Sequence, residues 1–286
     1  MSWVALDLGI IKIHWYGIFY VISFLFWYFY LYWILNRYNS KIFKFKIEDN
    51  IWQFLTDLLL FVILGVLIWG RLGHVIIYNL SYYLHRPAEI FYIWQWWMSF
   101  LGGIIWVVVS IFLFWKKYKL SFEDLVKLWD LIVLPLGFWI MLVRIWNFLN
   151  QELYGKIISL QDNWLIFFLL EKLKLVYVYT NIDNYWRINT NFIESFFEGF
   201  LFFLIINFIF FKDIKKGCYR PWKYLWIFFM WYAIVRFVVE FLRDYSKNEF
   251  IWIFTKTQWF LFWMFIVWLF FFKLFLNKRK ESKVFK

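Results

Sequence analysis

Seven long apolar runs, broken by short polar stretches, organise this chain; they cover roughly residues 15–35, 51–69, 98–115, 125–143, 192–211, 222–242 and 250–272. Each is close to the ~20 residues an α-helix needs to cross ~30 Å of hydrocarbon. The pattern predicts an all-α polytopic membrane protein with seven transmembrane helices. A closed β-barrel would need short alternating segments, which are absent. The second and fourth runs are the most interrupted, by Gln53 and Asp57 and by Lys127 and Asp130. Residues 1–286 read as a single membrane domain, and residues 144–190 as a small extracytoplasmic head inserted between the fourth and fifth spans. A connection of that length without structure of its own is uncommon. Within it Leu173–Thr180 alternates, with Val and Tyr, in the manner of a short strand.

Composition agrees with a bilayer setting: 64% of residues are hydrophobic, and the mean hydropathy is +0.63. The positive charge is not spread evenly. Arg37, Lys41, Lys44 and Lys46 follow the first run, Lys116, Lys117 and Lys119 the third, and Lys212, Lys215, Lys216, Arg220 and Lys223 the fifth. Lys273, Lys278, Arg279, Lys280, Lys283 and Lys286 follow the last. The other connections carry only scattered charges, so the positive-inside rule places the N-terminus outside and the C-terminus in the cytoplasm. These loops and anionic lipid heads account for the net charge of +12, so nucleic acid is not expected as a partner. Cys218 is the single cysteine, which excludes a disulfide framework and a cysteine metal motif. The first run has neither a basic leader nor a small-residue cleavage site, so a retained span is expected.

Against this background the arginines stand out. Arg71, Arg144, Arg236 and Arg243 lie in or beside apolar runs, where an ionised group is expensive and a functional candidate by default. Arg71 and Arg144 end the second and fourth runs, and snorkelling to the interface competes with phosphate binding as their role. The polar run behind Arg144 (Asn147, Asn150, Gln151, Glu152) tips it toward function. Tyr232, Arg236, Glu240 and Arg243 are spaced by four, four and three, so they share one helix face. Glu240 is expected to orient both arginines for an anionic ligand, with a structural ion-pair ladder as the alternative. Glu194 and Glu198 repeat the spacing of four and either balance the arginines or, for Glu194, move a proton. His14 suits general-base work as well as it suits an interfacial His–Trp–Tyr belt. Three scattered histidines (His14, His74, His85) make no metal site. On residues alone, an enzyme acting on an anionic lipid competes with a transporter or flippase for an anionic lipid or solute, though no inverted repeat is visible.

The runs His14-Trp15-Tyr16-Gly17, Trp69-Gly70-Arg71-Leu72-Gly73, Met98-Ser99-Phe100-Leu101-Gly102-Gly103, Arg144 to Glu152 and Arg236 to Arg243 resemble the prolipoprotein diacylglyceryl transferase family in order and spacing. The Arg-x-x-Asn-Phe-x-Asn-x-Glu run is the most specific of them. The resemblance implies a bacterial inner-membrane enzyme that moves diacylglycerol from phosphatidylglycerol to a cysteine thiol in a prolipoprotein signal peptide. Glycerol-1-phosphate leaves, and no metal or organic cofactor takes part. It implies phosphate handling by Arg144 and Arg236, and further cavity roles for Tyr16, Asn147, Glu152, Glu240 and Arg243. With Arg71, Asn150 and Tyr232 these complete the expected substrate-binding set, and His14 joins Arg144 and Arg236 as catalytic. The implied partners are phosphatidylglycerol, the signal peptide and membrane lipids, with the chain acting as a monomer.

Two departures from the family pattern matter. The third-span histidine of Met-Ser-Phe-His-Gly-Gly is Leu101 here, and leucine cannot accept a proton; His14 or the arginine field is expected to compensate. Family glycines stand as Trp69, Trp96, Trp97, Trp106, Trp146, Trp222, Trp226, Trp231 and Trp268, while the chain holds 11 Gly against 23 Trp. A gene that reads UGA as glycine, translated with UGA as tryptophan, would produce this pattern.

Overall fold

The computed structural model describes residues 4–7, 12–43, 50–78, 80–91, 100–159 and 164–284, most of them helical. The side chains of His14, Tyr16, Trp69, Arg71, Leu101 and Trp106 lie outside the described ones, and residues 96 and 97 lie outside the described residues. The chain divides into two compact units, Tyr28–Lys127, and Met1–Trp27 with Leu128–Lys286.

The first of these units contains the second half of α1 (Trp15–Ile42), then α2 (Ile51–Tyr78), α3 (Leu80–His85) and α4 (Phe100–Lys117). Leu31, Leu35, Phe54, Leu58, Ile111 and Phe114 are buried within it. Of the polar residues that interrupt the second apolar run, Asp57 is accounted for here. Asp57 accepts from Lys117 Nζ at 2.6 Å and from Tyr118 at 2.5 Å, and Ser110 Oγ donates to the Phe61 carbonyl at 2.8 Å.

The other unit begins with the hairpin β1 (Val4–Asp7) and β2 (Lys12–His14) and the first half of α1. It continues through the second half of α5 (Phe122–Val133), whose first half belongs to the unit Tyr28–Lys127, and through α6 (Leu136–Leu149) and α7 (Trp164–Lys172). The antiparallel pair β3 (Val176–Val178) and β4 (Trp186–Ile188) follows, β3 lying inside the stretch expected to be extended. Then come α8 (Thr190–Glu194), a π-helical segment Ser195–Leu201, α9 (Phe202–Lys215) and α10 (Lys223–Glu240). The hairpin β5 (Phe250–Ile251) and β6 (Phe254–Thr255) leads into α11 (Lys256–Val284).

Pro135 separates α5 from α6, because proline lacks the N–H a continuous helix needs. Beside it, the Leu134 carbonyl accepts from Asn207 Nδ2 at 3.1 Å. Asp130, which made the fourth run look weak, is fully buried and accepts the Leu225 backbone N–H at 2.8 Å, capping the start of α10 from another helix. One close crossing sets the site. A Cβ on Gly199 would lie 2.7 Å from the Met141 backbone, and one on Gly137 would lie 2.7 Å from the Gly199 carbonyl. Small residues let helices approach in this way within a membrane. The π turn sits at this contact, and π turns frequently mark functional positions.

Two tryptophans hold backbone conformations that favour glycine. Trp222 has φ 71 and ψ −13, the third position of a type II turn, with Pro221 ahead of it where proline fits. Trp252 has φ 60 in the two-residue connection from β5 to β6, where a type II′ turn places glycine first. A bulky residue at positive φ is an outlier.

By length and composition, three helical stretches among the described residues suffice to cross a membrane: Gly17–Ile42, Phe122–Leu149 and Thr190–Lys215. Shorter apolar helices lie at Ile51–Gly65 and Lys256–Phe270.

Candidate active site

The Gly137–Gly199 crossing fixes what faces what. Arg144 lies two helical turns beyond Gly137 on α6, and Glu198 immediately precedes Gly199 on the π segment. Arg144 Nε reaches Glu194 Oε2 at 2.8 Å, and Arg144 Nη2 reaches Glu198 Oε2 at 3.5 Å. From α10, Arg236 pairs with Glu194 and also with Glu240, four residues along its own helix. Arg243, just past the end of α10, grips Glu194 with both arms of its fork, Nε to Oε1 and Nη2 to Oε2, each at 2.9 Å. Glu194 is therefore the hub: it is fully buried and receives three guanidinium groups.

This revises the arrangement expected around Glu240. Glu240 binds Arg236 but meets Arg243 only through Tyr245, whose hydroxyl donates to Glu240 at 3.0 Å and accepts from Arg243 Nη1 at 3.4 Å. Burial holds the Tyr245 phenol above its ordinary pKa, so it stays a neutral donor. Thr255 Oγ1 adds a contact to Glu240 at 3.4 Å. The spacing of three residues puts Arg243 near the face of Glu240, but the chain leaves the helix after Glu240 and turns the guanidinium toward α8. The cluster is also even in charge, with Arg144, Arg236 and Arg243 against Glu194, Glu198 and Glu240, rather than in excess of positive charge.

Arg144 is the most open of the three arginines; its side chain keeps 13% exposure against 7% and 6% for Arg236 and Arg243. Tyr232 lies one turn before Arg236 and stacks on Phe228. The polar loop after α6 is strained and tied down. Gln151 and Leu153 have φ 58 and 53. Asn191 Nδ2 holds the Glu152 carbonyl at 2.6 Å, and Thr190 Oγ1 holds that of Leu153 at 2.8 Å. Strain of this kind, roughly 1–3 kcal/mol per residue, persists only where neighbours enforce it. Asn147 is buried beneath this loop, and its carbonyl accepts from the Glu152 N–H at 2.9 Å. The Glu152 carboxylate is exposed and bonds Asn150 at 3.0 Å, outside the arginine cluster.

Arg144, Tyr232, Arg236, Glu240 and Arg243 thus come together in one unit, whereas His14, Tyr16 and Arg71 fall on side chains outside the described ones. Sequence reasoning weighed Glu194 and Glu198 as counter-charges and left them out of the site. The signal was present in two carboxylates four apart inside an apolar run. Asn191, Tyr245 and Thr255 carried no signal.

The family model for prolipoprotein diacylglyceryl transferase matches residues 3–274. The chain belongs to this family. A relative from Ehrlichia ruminantium (strain Gardel) is 33% identical over 241 residues, covering 84% of this chain and 83% of its own length. One from Francisella tularensis subsp. novicida (strain U112) is 35% identical over 245 residues, covering 84% of this chain and 80% of its own. Both bear the name phosphatidylglycerol–prolipoprotein diacylglyceryl transferase. The chain is a transferase, and the buried arginine cluster is its strongest candidate for handling a phosphate. Among the described residues no group of three His, Cys, Asp or Glu is arranged to hold a metal ion.

Proposed function

We propose that the arginine cluster is the phosphate site at which this chain transfers the diacylglyceryl group of phosphatidylglycerol to a prolipoprotein cysteine. The activity is that of the family; the division of labour among residues is our reading. The observation that carries it is the convergence of Arg144, Arg236 and Arg243 on one buried carboxylate at the end of a strained loop. The cysteine sulfur attacks the glycerol carbon that bears the phosphate ester, the C–S bond forms as the C–O bond breaks, and glycerol-1-phosphate leaves. Arg144 and Arg236 hold the phosphate and stabilise the charge that gathers on it. Glu194 keeps both forks oriented before substrate arrives, which is preorganisation rather than neutralisation. Arg243, Glu240, Tyr232, Asn147 and Asn150 support this pocket; His14, Tyr16, Arg71 and Glu152 enter from the sequence alone.

The enzyme is read as an inner-membrane protein of seven spans, N-terminus outside, with residues 144–190 as a head on the outer rim. The basic clusters support that orientation, and the exposed apolar residues of α7 (Trp164, Leu165, Phe168, Leu169) suit a helix resting against lipid. One chain supplies all three arginines, so a monomer suffices. Labelled phosphatidylglycerol tests the reaction: glycerol phosphate should be released only when a lipobox peptide is present. A transporter would move label across vesicles without releasing it.

We further infer that Trp222 and Trp252 stand where the native protein has glycine, as UGA recoding would produce. Their backbone angles support this, since each occupies a turn position suited to glycine. Trp226 and Trp231, by contrast, are accommodated, their indoles donating to the carbonyls of Trp268 and Phe197 at 3.1 and 2.9 Å. Mass spectrometry of native peptides spanning Trp222 and Trp252 decides it, tryptophan masses counting against recoding. Independently, W222G should raise stability by about 1–2 kcal/mol, the strain of a left-handed non-glycine residue.

A further inference from the structure

The cluster holds one acceptor that its arginines leave idle. Glu198 is 1% exposed, and its Oε1 has no hydrogen-bond partner among the described residues. Arg236 Nη1 stands 3.9 Å from that oxygen, beyond hydrogen-bond reach, and Arg144 reaches only Oε2, at a long 3.5 Å. The neighbouring carboxylates are engaged: Glu194 by three arginines, Glu240 by Arg236, Tyr245 and Thr255. A buried carboxylate oxygen without a donor is costly, and its persistence calls for an explanation.

We propose that Glu198 accepts the proton of the attacking thiol. The assignment rests on the transferase reading above and adds a proton acceptor to it. The other polar groups facing the same space do not serve. Arginine stays protonated, and a neutral phenol such as Tyr232 is no base at neutral pH. Glu194 is held by three cations, so a proton arriving there would release all of them.

Charge conservation argues the same way. Phosphatidylglycerol arrives with a singly charged phosphodiester and departs as a phosphate monoester, which is largely doubly charged at neutral pH because its second pKa is about 6. When the thiol proton passes to Glu198, the pocket loses one negative charge as the leaving phosphate gains one. Arg144 and Arg236, the two arginines nearest Glu198, are then free to turn their donors fully to the phosphate. The cysteine thiol becomes a thioether, the carboxylate becomes a carboxylic acid, and the total charge is unchanged. Glu198 is reset when its proton passes to the departing glycerol phosphate. The groups whose charge bears on Glu198 are Arg144 from α6, Glu194 from α8, Tyr232 and Arg236 from α10, and Arg243 beyond it.

The test uses the full-length enzyme in phosphatidylglycerol nanodiscs with lipobox peptides carrying cysteine or selenocysteine at the acceptor position, reading glycerol phosphate release. A selenol is already ionised at neutral pH and needs no base. E198Q should slow the cysteine peptide by about 100-fold or more, the low end of general-base effects. It should slow the selenocysteine peptide by less than about 10-fold on the same reasoning. E198D should fall between, and the rise in rate with pH seen for wild type on cysteine should vanish in E198Q. Undiminished rate of E198Q on cysteine overturns the proposal. Equal loss on both peptides also overturns it and makes Glu198 a structural group. So does an H14A variant that loses the pH dependence while E198Q keeps it. A wild type that releases glycerol phosphate with neither peptide overturns the transferase reading itself, a different result from any of these.

Discussion

Two sets of arginine–carboxylate pairs in this molecule, one around Arg187 and one around Glu194, do different work. On β4, Arg187 gives Nε and Nη2 to Asp183, and Nη1 to both Asp244 at 2.8 Å and the Gly155 carbonyl at 3.2 Å. Its guanidinium also lies over the Tyr154 ring at 4.6 Å. That arginine ties β4 to the loop beyond α10, and the strand-like run through Gly155 fits between them because a Cβ there would lie 2.6 Å from the Ile188 carbonyl. Each of its three nitrogens donates, and its carboxylates face water. In the helical cluster the carboxylates are fully buried, three cations share one of them, and an oxygen of Glu198 is left over. The Arg187 staple has every guanidinium nitrogen engaged, whereas the helical cluster keeps an acceptor free beside two arginines. Composition alone does not separate the two; the pairing does.

The sharpest way to break this contrast is to remove the hub. E194Q keeps the shape but removes the charge that three buried guanidinium groups share and leaves Arg243 without a carboxylate among the described residues, and deleting one partner of a buried pair costs about 3–5 kcal/mol. A large fall in unfolding midpoint in detergent is expected, together with lost activity; an unchanged midpoint would mean that Glu194 does not organise the cluster.

Next in size is R144K, which keeps the charge but loses the planar fork. Thioether formation should fall at least ~10-fold, consistent with an oriented charged contact worth about 1.5–3 kcal/mol, while the fold survives. Wild-type activity in R144K would remove this residue from the catalytic set.

The Tyr245 bridge predicts a smaller effect. E240Q and R243A should be non-additive by about 0.5–1 kcal/mol in a double-mutant cycle on activity, because the Tyr245 hydroxyl bonds both and the Arg236–Glu194 pair links them as well. Strict additivity, or the same coupling in a Y245F background, would contradict that bridge.

The mildest effects belong to the Arg187 staple. Hydrogen bonds from Arg187 hold the Asp183 carboxyl below its ordinary pKa. A depressed carboxylate contributes stability at pH above its unfolded value of about 3.9, and that contribution is lost as pH falls through the folded value. Protection of the 176–188 hairpin from proteolysis should therefore weaken on acidification below about pH 4 in wild type. D183N should lack that dependence while leaving the transfer rate near wild type. A D183N loss of activity comparable to R144K would dissolve the distinction between staple and site.

Hydrophobic content is local, so the apolar runs announced helical segments, although the fourth divides at Pro135 and the seventh opens in the β5–β6 hairpin; the alternation in Leu173–Thr180 announced the strand at Val176–Val178. The spacing of four between Arg236 and Glu240 told truly that they share a face, since 3.6 residues make a turn. The Arg144-to-Glu152 run was legible as chemistry because polar residues rarely crowd the end of an apolar helix. What spacing cannot convey is which faces of different helices meet. Glu194 lies 50 residues from Arg144 and 42 from Arg236 by number, and nothing local marks it as the partner of both. That was settled by the approach of α6 to the π segment, where Gly137 and Gly199 leave no room for a side chain, and by the turn after Glu240 that swings Arg243 toward α8. The idle oxygen of Glu198 follows from the same contacts, because whether an acceptor is satisfied depends on donors that three other segments bring to it.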